Sequence, residues 1–348
     1  MDKVRLQSAY EALKAQAPHL YLRDAAQKLG VSEMALLSLE LGKTAFRLRP
    51  DWQALLQTLS EQGQLMGLSR NTWAVIENTG PYPRPTFEGS IIAVLHDNPP
   101  ALDLRCYLQS WAYAFAVHTQ KGSRSLYSIQ IFTPWGESIH KVYFIGPDAE
   151  AKWTTVKESF ISPEEALDLN TIHPEPQKPP HKPPQDRDTL LQEWHTLADT
   201  HDFFALLRRH QLSRLSAIQA AEGVFTWSLS PAQWEYFLHW AQHTQTPIMF
   251  FVGNAGIHQI YTGPVTSVTF ERGWHNLHGP NLTLHFNPEG LGYLYLVKKP
   301  TREGDIYSLE VFSPGGDEVL WVFGARKPGQ TVPATWLDFV DTLQKALV

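Results

Sequence analysis

Apolar and polar positions along this chain follow a helical period and then a strand period, and that succession occurs twice. In the first half, apolar positions at helical spacing predict helices over Ala9 to Ala15 and Asp24 to Leu29, a turn at Gly30 and a third helix opening at Ser32. Alternating or wholly apolar segments then predict strands over Trp73 to Ile76, Ser90 to Leu95, Leu102 to Val117, Tyr127 to Phe132 and His140 to Phe144. In the second half, Leu190, Leu191, Trp194, Leu197, Phe204 and Leu207 give one helical region, Asp188 to Arg209, a recurring apolar face. Strands follow near Ile248 to Val252, Gln259 to Tyr261, Thr266 to Phe270, Leu282 to Phe286, Tyr293 to Val297, Tyr307 to Phe312 and Val319 to Phe323. Short turn signals such as Pro134-Trp-Gly136 and Pro314-Gly-Gly316 favour antiparallel pairing. The expected fold class is α+β: a tandem duplication, each half a broad antiparallel sheet with flanking helices.

The duplication is visible residue by residue. Tyr127-Ser-Ile-Gln-Ile-Phe-Thr-Pro-Trp-Gly-Glu137 returns without a gap as Tyr307-Ser-Leu-Glu-Val-Phe-Ser-Pro-Gly-Gly-Asp317. Asn71, Thr79-Gly80-Pro81 and Phe87-Glu88 return as Asn254, Thr262-Gly263-Pro264 and Phe270-Glu271, and Ser32 and Gly42 as Ser213 and Gly223. This period is far longer than the roughly 20–50 residues of a solenoid unit, so each copy is long enough to carry its own core. Between the copies, His173 to Gln185 holds six prolines in thirteen residues, an extended, semi-rigid composition. The expected division is residues 1–170 for the N-terminal repeat, 171–187 for the linker and 188–348 for the C-terminal repeat. Ser162-Pro163-Glu164-Glu165 reads as a helix start before that linker.

Composition narrows the class. A chain of 348 residues, 43% hydrophobic and 18% charged, suits two globular lobes rather than disorder. No apolar run reaches bilayer length, and Met1-Asp2-Lys3-Val4-Arg5 opens a polar stretch unlike a signal peptide, so the expectation is a cytoplasmic protein with no membrane insertion. One cysteine, Cys106, excludes an internal disulfide or a cysteine-rich metal site. A net charge of −6 argues against general affinity for nucleic acid. Leu22 to Leu37 has the outline of a helix-turn-helix, yet Ser32-Glu33-Met34-Ala35-Leu36-Leu37 offers almost nothing to bases or phosphates, so DNA binding is not expected.

Phosphate-loop, dinucleotide, zinc-protease and serine-hydrolase motifs are missing. The candidate chemistry lies where the copies disagree. His201 falls opposite Leu20, Arg214 opposite Glu33, Lys299 opposite Thr119, Arg326 opposite Gly146, and Arg105 opposite His285. One imidazole with several cations, mostly in the second copy, suits a flat, dianionic, iron-bearing ligand. Surface drift would leave the same kind of asymmetry at any one position.

The chain resembles the bacterial cytoplasmic haemin-degrading and haemin-transport proteins of the HemS/ChuS type over essentially its whole length. The resemblance rests on Trp194-x6-His201-Asp-Phe-Phe-Ala-Leu-Leu-Arg-Arg-His210-x-Leu-Ser-Arg214, Asp103-Leu-Arg105, Phe251-Val-Gly-Asn254, Gln259-Ile-Tyr-Thr-Gly263, Lys299-Pro-Thr-Arg-Glu-Gly304, Gly324-Ala-Arg326 and His140-Lys-Val-Tyr143. It implies one haem b held against the C-terminal half, with His201 as axial iron ligand and Arg105 as the polar group on the opposite face. It also implies Arg214, Lys299 and Arg326 as propionate partners. The chain departs from the family at Phe323, where a tyrosine often stands, and at Trp321, which replaces a polar position; this puts two propionate hydrogen bonds in question.

The residue types fit those roles. Imidazole is the commonest protein ligand to haem iron, arginine meets carboxylates bidentately, and Phe204, one turn after His201, suits a porphyrin edge. The bland alternatives are a solvated histidine, a salt-bridged Arg105, an exposed Lys299 loop charge and a core Phe204. His173, His181 and His195 are alternative ligands. The expected function is haem and iron utilisation, with haem degraded by reductant-dependent ring opening; the alternative is a carrier that delivers intact haem to a separate enzyme. A haem importer and a reductant donor are the expected partners.

Overall fold

A computed structural model describes residues 3–89, 92–98, 100–163, 167, 169, 172–178, 181–302, 304–326 and 331–346. The first copy runs α1 (Lys3–Gln16), α2 (Leu22–Leu29), α3 (Glu33–Leu37), β1 (Ala45–Leu48), α4 (Trp52–Ser60), β2 (Gln64–Arg70), β3 (Ala74–Pro81), β4 (Pro85–Glu88), β5 (Ile92–Leu95), β6 (Asp103–Tyr107), β7 (Tyr113–Lys121), β8 (Arg124–Phe132), β9 (Ser138–Phe144) and α5 (Ala149–Phe160). The second copy repeats this order: α6 (Arg187–His195), α7 (Asp202–His210), α8 (Arg214–Ala220), β10 (Thr226–Leu229), α9 (Pro231–Thr244), β11 (Ile248–Asn254), β12 (Ile257–Gly263), β13 (Ser267–Glu271), β14 (Trp274–His278), β15 (Leu282–Phe286), β16 (Tyr293–Thr301), β17 (Gly304–Phe312), β18 (Glu318–Gly324) and α10 (Ala334–Lys345).

The fold is the expected α+β duplication, built on two nine-stranded antiparallel sheets. Their orders are β1-β7-β8-β9-β2-β3-β15-β14-β13 and β10-β16-β17-β18-β11-β12-β6-β5-β4. Several elements differ from the sequence expectation. Helices do not all precede strands, because α4 and α9 interrupt each series while α5 and α10 close it. Leu102 to Val117 is two strands, broken by a short 3-10 turn at Leu108–Ser110. The helix start at Ser162-Pro163-Glu164-Glu165 and the strand beginning at Ser90 fall partly outside the described residues.

The chain forms two compact units. The first holds Met1–Arg70, Glu77–Pro176 and Asn254–Gln259; the second holds Asn71–Ile76, Gln177–Gly253 and Ile260–Val348. Each copy thus gives the tip of one hairpin to the other copy's unit. A repeated asparagine fastens each tip. Asn71 donates to the carbonyls of Gly253 and Val319 at 3.2 and 2.7 Å, and Asn254 to those of Arg70 and Ile139 at 3.0 and 2.8 Å.

Strand alternation explains the layers within each unit. On β16, Leu294 and Leu296 pack with Trp234, Phe237, Trp336 and Phe339 of α9 and α10, while Tyr295 and Val297 point to the opposite face, packing with Trp194 and Phe203 of α6 and α7. On β7, Ala114 and Ala116 join the core of α4 and α5, whereas Phe115 and Val117 face Met34 and Leu37 of α3. Burial on both faces is why Leu294 to Val297 reads as a continuous apolar run. Each large side chain fully buried in these layers contributes about 1.5–3 kcal/mol. At the two equivalent turns after β8 and β17, Gly136 and Gly316 take φ of 81° and 85°, a left-handed geometry that favours glycine.

Candidate functional site

Five of the six sequence-identified residues belong to the second unit, and Arg214 and Lys299 meet on the sheet face covered by α6 to α8. Tyr295 and Val297 face α6 to α8, so two residues further along β16 Lys299 does too; on β17 the same alternation brings Glu310 beneath α8, two residues before Phe312. Arg214 opens α8 after its N-cap Ser213, whose hydroxyl accepts from Ser216 N at 3.1 Å. Arg214 donates from Nε and Nη2 to Glu310 at 2.6 and 2.8 Å, Lys299 Nζ donates to the same carboxylate at 2.7 Å, and Ser308 Oγ adds a bond at 3.0 Å. Their side chains are 4%, 2% and 0% exposed for Arg214, Lys299 and Glu310, which rules out the loop-charge alternative for Lys299.

Burial alone would raise the Glu310 carboxyl, but Arg214 and Lys299 overcome it and hold it at about 2. Burial pushes the Lys299 ammonium down to about 8 against the pull of Glu310, with Arg214 adding repulsion. Aromatic rings wall the cluster. Trp321 lies 3.9 Å from the Arg214 guanidinium, and Phe203 4.9 Å from Lys299 Nζ. Arg214 and Lys299 are therefore matched to a protein carboxylate that sequence reasoning missed. A second carboxylate, Glu318, raised by burial, also acts electrostatically on Arg214, Lys299 and Glu310.

His201 is not inside a helix. The predicted helical region breaks between α6 and α7, and His201 is the residue immediately before α7, with its imidazole 84% exposed. The cause is Asp199: its Oδ1 accepts from His201 N at 2.8 Å and lies 2.5 Å from His201 Nδ1, while its own N–H donates to Asp202 Oδ2 at 3.1 Å. The backbone N–H of His201 and then its ring hold the Asp199 carboxyl below the usual range, with Arg326 contributing through its charge. Phe204 is 42% exposed, with its ring 6.3 Å from Trp321 and 5.7 Å from the Arg214 guanidinium, so it is not a core residue. Arg326 is half-buried just after β18. An exposed imidazole, an open aromatic edge and two buried cations thus occur together in one unit.

The other candidates lie elsewhere or are engaged. Arg105, on β6 of the first unit, is 30% exposed and ion-paired to Asp103, whose second oxygen is 3.0 Å from His96 Nδ1. This is the salt bridge anticipated as its bland reading. His181 meets Ser213 Oγ at 2.8 Å and the Gly315 carbonyl at 3.1 Å, and His210 stands 3.4 Å from Glu193. Phe323 and Trp321, the departures from the family pattern, line the aromatic wall with Phe251 at 5.3 and 5.9 Å. Two signals pointed to the missed residues: Glu310 is a charge where the first copy has Gln130, and Asp199 lies three residues before α7, where an aspartate side chain commonly bonds the backbone two residues on.

The model of the Haemin-degrading HemS.ChuX domain matches residues 30–160 and again 211–343. The chain is 35% identical to the hemin transport protein HmuS of Yersinia pestis over 97% of each sequence. Holo-PhuS, a heme-binding protein from Pseudomonas aeruginosa, superposes with a TM-score of 0.92 at 34% identity over 99% of both chains. ChuS, a heme degrading enzyme of Escherichia coli O157:H7, gives 0.89 at 30% identity over 98% of this chain and 99% of its own. No helix among the described residues is long and apolar enough to cross a membrane. With its domain matched twice and full-length relatives above 30% identity, the chain belongs to the haemin-degrading HemS/ChuS family.

Proposed function

We propose that this protein binds one haem b on its C-terminal copy, residues 188–348, and serves haem and iron utilisation in the cytoplasm by opening the ring with electrons from a reductant. The observation that carries the reading is the coincidence, in one unit, of the 84% exposed His201 imidazole, the exposed Phe204 ring and the cations Arg214, Lys299 and Arg326. These residues fit the ligand. His201 would supply a nitrogen to the iron, Phe204 and Trp321 the apolar contact, and Arg326 a propionate partner; Arg214 and Lys299 would act on the propionates through their own positive charges. Bound haem brings the iron on which ring opening depends. Arg105 is assigned to the iron's other face on the family resemblance, where it would hold water and stabilise developing charge.

Incubating the purified protein with haemin, a mild reductant and oxygen should yield a linear tetrapyrrole and free iron, read by mass spectrometry. An anaerobic arm tests whether oxygen is needed. Recovery of intact haem in both arms would replace the enzyme with the carrier, the reading favoured by the transport name of the Yersinia pestis relative. Arg105→Ala should then separate the roles by slowing ring opening more than it weakens binding.

A further inference from the structure

We infer that Asp199 is the positioning residue for His201, fixing its imidazole so that Nε2 is the nitrogen presented to iron; this rests on the reading of His201 as axial ligand. A carboxylate is ionised at neutral pH and accepts hydrogen bonds only. Its 2.5 Å contact with Nδ1 therefore places the ring proton on Nδ1 and leaves the lone pair on Nε2. The same oxygen accepts the His201 backbone N–H at 2.8 Å, tying ring and main chain to one anchor, and the Asp199 N–H is held in turn by Asp202 Oδ2 at 3.1 Å. The arrangement is private to the second copy, since the first has Pro18 and Leu20 at these positions.

A histidine ligand that donates its other N–H to a carboxylate is both oriented and made more basic. Two consequences follow for Asp199. It tightens the hold of His201 on ferric haem, and it lowers the reduction potential by strengthening donation through Nε2. Arg326, which acts electrostatically on Asp199, links this anchor to the proposed propionate side of the site.

The test compares wild type with Asp199→Asn, Asp199→Glu and His201→Ala, each loaded with haem and checked for native folding by circular dichroism. Three quantities are read: the iron–histidine stretching band of the ferrous form by resonance Raman, the midpoint potential, and the rate of haem transfer to apomyoglobin. Asp199→Asn should move the band to lower frequency, raise the potential and speed haem loss by about tenfold or more. Asp199→Glu, which keeps the carboxylate, should recover part of each change, and His201→Ala should abolish the band. If His201→Ala abolishes the band while Asp199→Asn leaves band and potential at their wild-type values, the positioning role is overturned and His201 stands. If the band survives in His201→Ala, the ligand assignment itself fails, and the Asp199 role with it.

Discussion

The same place in the two copies holds two differently wired ion clusters. In the first, Glu33 on α3 is buried and ion-paired to Lys141 on β9, and the register partner of Lys141 is the neutral Gln130 on β8. In the second, the helix position is Arg214, Lys141 is replaced by Trp321, and the register partner of Trp321 is Glu310 on β17. The sign on the helix has reversed, and its partner has moved one strand over. Lys299 stands where the first copy has Thr119. Neither cluster is a bare pair: Arg70 and Arg23 also act electrostatically on Glu33, and Glu318 on Arg214, Lys299 and Glu310. Both copies keep a buried ion pair between helix and sheet, with the acid on the helix in one and on the sheet in the other. His201, Asp199 and Arg326 stand opposite Leu20, Pro18 and Gly146.

The largest effect should come from cutting the second cluster at its centre. Glu310→Ala strands two buried cations and should destabilise the second unit by about 3–5 kcal/mol in denaturant melts. Gln130→Ala, its counterpart, removes one neutral hydrogen bond to Ser128 and should cost about 0.5–1.5 kcal/mol. Equal losses would erase the contrast. Acid titration follows the same logic. Because the folded Glu310 carboxyl lies at about 2, below its ordinary 4.5, its contribution is complete above that ordinary value and disappears as pH falls from there through about 2.

Ligand binding sharpens the comparison next. Haemin titration should saturate at one equivalent, because Leu20 stands opposite His201; two tight equivalents would show the first copy to be competent as well. His201→Ala should weaken binding by at least the roughly 10–100-fold typical of losing a ligand's outer partner, whereas His195→Ala and His210→Ala should do much less. An unchanged Soret band and affinity in all three would place the ligand elsewhere. Arg326→Ala should reduce affinity by about 1.5–3 kcal/mol if its propionate bond is shielded from water. A loss of about 0–1 kcal/mol would place it in solvent. Arg214→Ala should instead show mainly as lost stability, since it leaves Glu310 with Lys299 alone.

Much of this was legible in the chain and some was not, for identifiable reasons. The duplication and most strands could be read because a sheet covered on both faces imposes long apolar runs that survive divergence, as at Leu294 to Val297. The break between α6 and α7 could not, because Leu197 continues the apolar spacing while the interruption comes from a side-chain-to-backbone bond of Asp199. His201 was placed within a helix, whereas it stands immediately before α7. Arg214 and Lys299 were recognised as asymmetric cations, yet their partner Glu310 sits 96 residues from Arg214, and a pairing of that span is invisible in one sequence. The exchanged hairpin tips escaped for a related reason: comparing the copies shows which residues are equivalent, not which copy each one packs against.

The smallest predicted effect is the most discriminating, because it moves two observables in opposite directions. The Lys299 ammonium titrates at about 8 in the folded chain, below its ordinary 10.5. Between those values the folded state binds fewer protons than the unfolded one, so this group makes stability rise with pH across that window. Over the same window the second cluster loses one positive charge, and affinity for the dianionic haem should drop by about 0.5–1.5 kcal/mol. The first copy has Thr119 at this position, which has nothing to titrate, so both trends belong to the second cluster alone. Lys299→Met should flatten them together. Parallel measurements of unfolding midpoint and haem affinity from neutral to alkaline pH, in wild type and Lys299→Met, decide the matter. A wild-type affinity that holds steady while stability rises would mean that the Lys299 charge does not reach the ligand, leaving Arg326 as its cationic partner.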